Sequence, residues 1–335
     1  ATLINVSMTG AKLGDIDLSD AVLDNLNLRN AWLENVKLNH AKLNNAGFSN
    51  ANLVNVDLSH ADLSDARGLN EAVLTDVVWL GVILKSANLS GIELVYQDLS
   101  GADLYDANLN DANLEGTILN NADLNDADLN RTVLFRAELN NASLNNASLK
   151  NAILDQAALI NASLIGANLD DATLTRVDLT KANLKNATLI NADLLRATLT
   201  NAFLIGADLD GATDAATIDA IVTPADLKGA DLSGFDLRGW DLEGLDPSNL
   251  DLSDANLQGA NLSGLNLREA DLTGADLRGA YLIKTRLRST NLTGANLRGA
   301  DLSDADLFMA NLDGATLDGN DIIAAIEAGA INIPN

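Results

Sequence analysis

An apolar residue recurs at every fifth position: Leu3, Met8, Leu13, Leu18, Leu23, Leu28, Leu33, and so on to Leu63. A period of five fits neither the 3.6 residues per turn of a helix nor the two-residue alternation of a strand. It belongs to a repeat architecture. The beat takes one extra residue at Arg67–Gly68, resumes at Leu69 and runs without a slip to Leu209. It breaks over 210–226 and runs again from Leu227 to Ile322. The three runs hold 13, 29 and 20 pentads, 62 in all, and 57 of the central residues are Leu. The exceptions are Met8, Phe48, Trp79, Pro247 and Ile322.

Two residues before each central position stands a second apolar residue, usually Ala, as at Ala11, Ala21, Ala102 and Ala122. Between them comes a polar residue, most often Asp or Asn, as at Asn52, Asp62 and Asp103. Alternate residues of an extended segment face the same way. The Ala and Leu therefore face inward and the Asp or Asn faces out. The remaining two residues turn the corner.

A second-order period gives the number of sides. Gly239, Gly259, Gly279, Gly299 and Gly319 are 20 apart, with Arg238, Arg278 and Arg298 before three of them. Arg136, Gln156, Arg176 and Arg196 keep the same spacing, as do Asn121, Asn141 and Asn161. Twenty residues are four pentads, so one coil has four sides. Near the start the second inner residue alternates between bulky (Val6, Ile16, Leu26, Val36, Val56) and Ala, with Ala46 the departure. Opposite sides then carry residues of like size, which fills the interior evenly. The predicted fold is all-β: a right-handed quadrilateral parallel β-helix. Its about 15 coils at about 4.8 Å make a rod of roughly 75 Å.

The expected organisation is a solenoid over 1–209, an interruption at 210–226, a second solenoid over 227–322 and a cap or tail over 323–335. The interruption reads as a bulging loop or as a linker between two solenoids. Phe235, Trp240, Leu245 and Leu250 imply a wider coil after it, and Pro247 a local defect. The C-terminal run reads as a short helix from Asp321 to Ala328, with Asp321 as N-cap and Gly329 as stop. The beat already runs at Leu3, so either an initiator Met is lost or the chain is a piece of something longer.

The Ala-(Asp/Asn)-Leu-x-x motif, clean at Ala122-Asp123-Leu124-Asn125-Asp126, resembles the pentapeptide repeat family. The resemblance covers nearly the whole chain apart from 210–226 and 323–335. It implies a β-helical solenoid. Because some members bind type II topoisomerases as acidic, duplex-like rods, it also admits mimicry of DNA. Fold alone does not assign a role.

Charge and composition narrow the classes. With 47 acids, 21 Lys and Arg and a net charge of −26, direct nucleic-acid binding is not expected. There is no cysteine, hence no disulfide and no thiolate metal site. No 18-residue apolar run suits a membrane span, and no signal peptide is visible. The expectation is a soluble chain, cytoplasmic ahead of the alternatives of periplasmic or secreted.

No residue set carries a catalytic, cofactor or metal expectation. No nucleophile elbow, phosphate loop or dinucleotide fingerprint is present. His40 and His60 fall in one corner column with Asp20 and read as an exposed polar ladder. The stacked carboxylates occur throughout and single out no place. Outward apolar residues Trp32, Phe135, Ile160, Ile165, Ile190, Leu195, Phe203 and Ile205 are candidates for docking, but counting by twenties scatters them over several faces.

Three roles follow. The first is a non-enzymatic structural or protein-interaction rod, with protein partners. The second is the acidic DNA mimic. Duplex DNA carries about 44 charges over roughly 75 Å, whereas net −26 over that length is sparser. The third is a fibre subunit self-associating end to end through an uncapped coil.

Overall fold

A computed structural model describes residues 1–199, 202–204, 207–209, 212, 252–318, 325 and 328–332. The interruption at 210–226 (Ala212 apart), Pro247 with the wide coil expected around it, and most of the expected 321–328 helix lie outside the described residues. The chain divides into two compact units, Ala1–Ala167 and Asn168–Asn335.

In the first unit, the residue before each central Leu bridges to the next coil. Thr2 pairs with Val22, Ser7 with Asn27 and Asp17 with Lys37. On the remaining side the strands β1 (Lys12–Gly14) and β2 (Trp32–Glu34) pair through Lys12↔Trp32. Each of these partners lies 20 residues on, and four bridges complete one coil. The coil is four-sided and its pairing is parallel. β3 (Asn52–Val54) and β4 (Val73–Thr75) extend the same side in the order β1-β2-β3-β4. In the second unit Asn168 pairs with Thr188, and Asn256 with Asp276, in the same step of 20. Connections between parallel strands take the right hand.

The corners explain the last residue of the motif. The Ala11 amide donates to the Met8 carbonyl at 3.0 Å and the Ala31 amide to the Leu28 carbonyl at 2.9 Å, closing four-residue turns. The third residue of each turn is left-handed: Gly10 at φ 68 and Asn30 at φ 56. That is the type II signature, which favours Gly and Asn. Arg131, Arg136 and Lys181 hold the same conformation at φ 56, 58 and 59 without that advantage.

The interior is a set of apolar columns. Leu28, Phe48, Leu69, Leu89 and Leu109 lie one above another, each 1% exposed or less. Each buried Leu contributes about 1.5–3 kcal/mol before chain entropy is set against it. Thr117, Thr132, Thr285 and Thr290 replace the inner Ala and are fully buried. Each hydroxyl is satisfied by a backbone carbonyl, as from Thr117 to Leu94 and from Thr285 to Leu262, both at 2.8 Å.

Backbone accounting explains the Asp and Asn. Of the five amides in a pentad, one closes the turn and three donate to neighbouring coils. For the pentad around Leu23 those three are Val22 to Ala1, Leu23 to Lys42 and Asn25 to Asn44. In many pentads the fifth amide, on the residue after the Leu, is taken by a side chain. Ser19 donates to Asp17 at 3.0 Å, Ser100 to Asp98 at 2.9 Å and Asn130 to Asp128 at 3.0 Å. An outward Asp or Asn thus captures the amide two residues on.

In several pentads where that position lacks Asp or Asn, the coil beneath supplies the acceptor. The pentads with Glu138, Ser143, Ser148, Ala158 and Ser163 send their fifth amide 20 residues back. The acceptors are Asn120, Asn125, Asn130, Asn140 and Asn145, at 2.8 to 3.0 Å. In the second unit the Ile190 amide reaches Asp170 in the same way, at 3.0 Å.

Two irregularities interrupt the first unit. The extra residue is absorbed at a 3-10 turn, Leu69–Glu71, after which partners lie 21 apart: Asn52↔Val73 and Asp57↔Val78. Gly68 enters that turn at φ 75, and a Cβ there would sit 2.6 Å from the Ser49 amide nitrogen. The second irregularity is a cleft of about 310 Å³ lined by Leu74, Asp76, Val77, Trp79, Glu93, Leu94, Val95 and Gln97. Gln97 stands where Ala is usual, and its amide donates to the Val95 carbonyl at 3.3 Å. Trp79 fills the central place opposite, 2% exposed. Among the described residues, no coil-to-coil backbone bond is made by the amides of Leu74, Asp76 or Trp79. The two bulkier side chains hold the coils apart where Leu and Ala would let them close.

At the C-terminal end Ala325 is helical and buried, and Gly329 is left-handed at φ 78. The Ala330 amide donates to the Ala325 carbonyl at 3.1 Å, the bond that closes a Schellman turn. Ile331 then adds a parallel bridge to Asn311.

Candidate interaction surfaces

The side chains that meet solvent are arranged as columns, one residue per coil. Asn and Asp recur in them for two reasons: beside the Leu they accept the fifth amide, and at the corners they tolerate the left-handed turn. Neighbouring members also bond along the column. Asn45 donates to Asn25 at 2.6 Å, Asn55 to Asn35 at 2.8 Å and Asn146 to Asp126 at 3.1 Å.

His40 and His60 stack with ring centres 5.1 Å apart and planes 10° from parallel. Both are exposed. Ring nitrogens point their lone pairs within the ring plane, so parallel rings present them side by side rather than toward a shared ion. Gly81 follows in the column, and a Cβ there would fall 2.3 Å from the His60 Nδ1. Among the described residues no three His, Cys, Asp or Glu side chains group to hold a metal.

Ion pairs on the surface include Lys85–Asp103 at 3.0 Å, Arg131–Asp111 at 2.6 Å, Arg278–Asp276 at 2.5 Å and Arg288–Asp306 at 3.5 Å. The Arg131 and Arg278 guanidiniums hold the carboxyls of Asp111 and Asp276 below their ordinary range by hydrogen bonding. Hydroxyl and amide donors from Ser19 and Ser303 lower Asp17 and Asp301. A hydrogen bond to Asp126 raises the Tyr105 hydroxyl.

The expected outward apolar residues divide. Trp32 is 43% exposed and Phe203 47%. Phe135 is half-buried with Arg136 4.7 Å above its ring. Ile160, Ile165, Ile190 and Leu195 are half-buried, and Ile205 lies outside the described residues. The expected set did not include Val73, Val78 and Leu80, at 56%, 47% and 41% exposure, nor Tyr96 at 66%. The step of 21 across Gly68 places Val73 on the side that carries Trp32, two coils on. Trp32 is pinned there by a bond from its Nε1 to Glu34 at 3.3 Å.

A coil of four pentads, closed on itself and decorated by polar columns, defines a solenoid repeat protein. The chain belongs to the pentapeptide repeat family. The family's pattern matches residues 1–39, 33–67, 98–134, 137–176, 178–213, 251–288 and 280–319, more than half of the chain. Among solved structures, it is similar to HetL, a pentapeptide repeat protein involved in heterocyst differentiation regulation in the cyanobacterium Nostoc sp. Strain PCC 7120. Identity is 29% over 92% of this chain and 89% of HetL, with a TM-score of 0.21. It is also similar to trypsin-treated QnrB1, a plasmid-mediated fluoroquinolone resistance protein, at 17% identity over 87% and 94%, TM-score 0.25. A pentapeptide repeat protein of the Arabidopsis thaliana thylakoid lumen matches at 22% identity over 50% and 78%, TM-score 0.19. A search of curated proteins finds no relative. Among the described residues no helix is long and apolar enough to cross a membrane.

Proposed function

We propose that this protein is a non-enzymatic scaffold that presents its polar columns to protein partners. The observation behind this reading is the division of labour in the repeat. Inner Leu and Ala carry the stability, while outer residues are free to vary once the fifth amide has its acceptor. Blocks 1–209 and 227–322 supply the repeats in this reading. The most direct experiment is affinity capture on the full chain from its native organism, repeated with surface-column variants. A partner lost on substitution at one face supports the scaffold. Absence of any partner, together with absence of self-association, refutes it.

Mimicry of DNA is the second reading. Residues 98–130 favour it, because they carry eight acids and no Lys or Arg. Residues 277–300 oppose it, with five cations and no acid. A gyrase supercoiling assay that shows no effect of the protein removes this reading.

A further inference from the structure

The backbone ladder of the first unit is interrupted at one seam, between the coil that holds Leu74 and the coil above it. One coil further on, the Leu94 amide donates to the Asn113 carbonyl at 2.9 Å and the Tyr96 amide to the Glu115 carbonyl at 2.8 Å. The same step would carry the Leu74 amide to the Glu93 carbonyl and the Asp76 amide to the Val95 carbonyl. Among the described residues neither bond is made, nor is the return from Glu93 to Ala72 or from Asp98 to Val77. The Val95 carbonyl accepts the side-chain amide of Gln97 instead, at 3.3 Å. The ladder resumes where the Gly81 amide donates to Ser100 at 3.0 Å. Along the seam, open amides and open carbonyls form two strand edges, and such edges take an added peptide.

The cleft of about 310 Å³ at this seam also opens the core. From Leu23 to Leu164 every other central residue is buried, whereas Leu74 is half-buried. Val77, Trp79 and Leu94 complete the apolar wall. The lower coil is apolar on its outer side too. Val73 and Val78 stand where the coil beneath has Asn52 and Asp57, and they are 56% and 47% exposed. Asp76 and Glu93 line the cleft, and none of its lining residues is Lys or Arg. Among the described residues neither carboxylate is in an ion pair. Glu93 Oε2 accepts from the Asn113 side chain at 2.8 Å, a neutral donor that leaves the charge in place.

We propose that this cleft takes the amino-terminal end of a partner polypeptide. The first peptide units accept from the Leu74 and Asp76 amides and donate to the Glu93 carbonyl, filling the missing rungs. The α-ammonium lies against Asp76 and Glu93, and the first apolar side chain enters between Leu74 and Trp79. A lysine side chain would carry its charge well away from its own backbone. Here the carboxylates and the open rungs belong to the same residues, Asp76 and Glu93, so charge and peptide must arrive together. The closed ladder at Gly81, and a volume near the low end of the about 300–1,000 Å³ of ligand sites, suit a chain end rather than a through-going strand. The cleft is separate from the polar columns of the scaffold reading, so either can fail without the other.

The test is a titration of the full chain, read by the amide chemical shifts of Leu74, Asp76 and Trp79. The probe is alanyl-leucyl-alanine amide at about 10 mM, enough to fill most of a site with a Kd of about 1 mM. Its N-acetyl derivative keeps the peptide and loses the charge. Isoamylamine keeps the charge and an apolar body and loses the peptide. The probe is expected to shift these amides, and each comparison compound to bind about tenfold more weakly or worse. Asp76→Asn with Glu93→Gln should weaken the probe by a similar factor. Asn55 shows that Asn holds the left-handed turn of that column, at φ 51 like Asp76. Gln97→Ala, which lets the coils close, should abolish binding with both acids in place. A probe that leaves these amides unshifted overturns the proposal. So does equal binding of the acetylated peptide or of the amine, or binding that survives either variant unchanged.

Discussion

Replacing Asn145 by Ala tests the amide accounting where its consequences are best separated. Asn145 Oδ1 accepts the Ile165 amide at 3.0 Å and the Ser163 hydroxyl at 2.6 Å, and its Nδ2 donates to the Ser143 hydroxyl at 3.0 Å. Each part-buried bond is worth about 0.5–1.5 kcal/mol net, so the substitution is expected to cost about 1–3 kcal/mol. Ile165 depends on Asn145 because Ser163, two residues before it, offers no carboxamide or carboxylate. Ser163→Asp installs the acceptor that other pentads use, as Asp128 serves Asn130. It should be nearly neutral alone and recover about 1 kcal/mol beside Asn145→Ala. Repeat arrays lose two-state cooperativity, so exchange of the Ile165 amide is the decisive readout. One kcal/mol corresponds to about fivefold faster exchange. If Asn145→Ala leaves that amide as protected as before, or if adding Ser163→Asp fails to restore its protection, the either-or rule for the fifth amide is wrong.

Gly68→Ala meets both a left-handed φ of 75 and the Ser49 backbone, and is expected to cost at least about 2 kcal/mol in urea unfolding. Gly91→Ala, at φ 67 with open space around it, should cost clearly less. Gln97→Ala restores the usual inner residue, so the Leu74 and Asp76 amides should gain protection from exchange as the cleft narrows. The carboxyls of Asp17, Asp111, Asp276 and Asp301 titrate lower in the folded chain than the ordinary value of 3.8. The stability they lend is complete above the unfolded pKa and lost as pH falls through the folded values. Unfolding midpoints should therefore hold near neutrality and drop only in acid below about pH 4. Exchanging the four for Asn should flatten that drop.

The beat of five and the four-sided coil could be read from the sequence because both are strict periods. The corner glycines Gly259, Gly279 and Gly299, spaced by 20, are left-handed at φ 69, 65 and 71. The bulky inner residues Leu26, Val36 and Val56 are buried with the Ala that alternate with them. The reason for Asp and Asn was not visible, because it lies in the amide each accepts. Asn140 serving Ile160 is a contact between coils, and no local pattern displays it. Val73, which was not among the expected outward apolar residues, joins the column of Trp32 because one inserted residue changes the step from 20 to 21. The cleft beside Trp79 depends on Gln97, 18 residues away in sequence, and neither residue alone suggests it.

Cross-linking of paired cysteines tests the four-pentad coil most directly, since the native chain has no cysteine. Asn108 and Asp128 form a bridge between successive coils. Cysteines at these two positions should join under mild oxidation or a short bifunctional reagent, because parallel neighbours lie about 4.8 Å apart. Cysteines at Asn108 and Asp123, one side short of a full coil, should stay free. Efficient joining of the second pair, with the first unjoined, would contradict a coil of 20 residues and the column-by-column surface built on it.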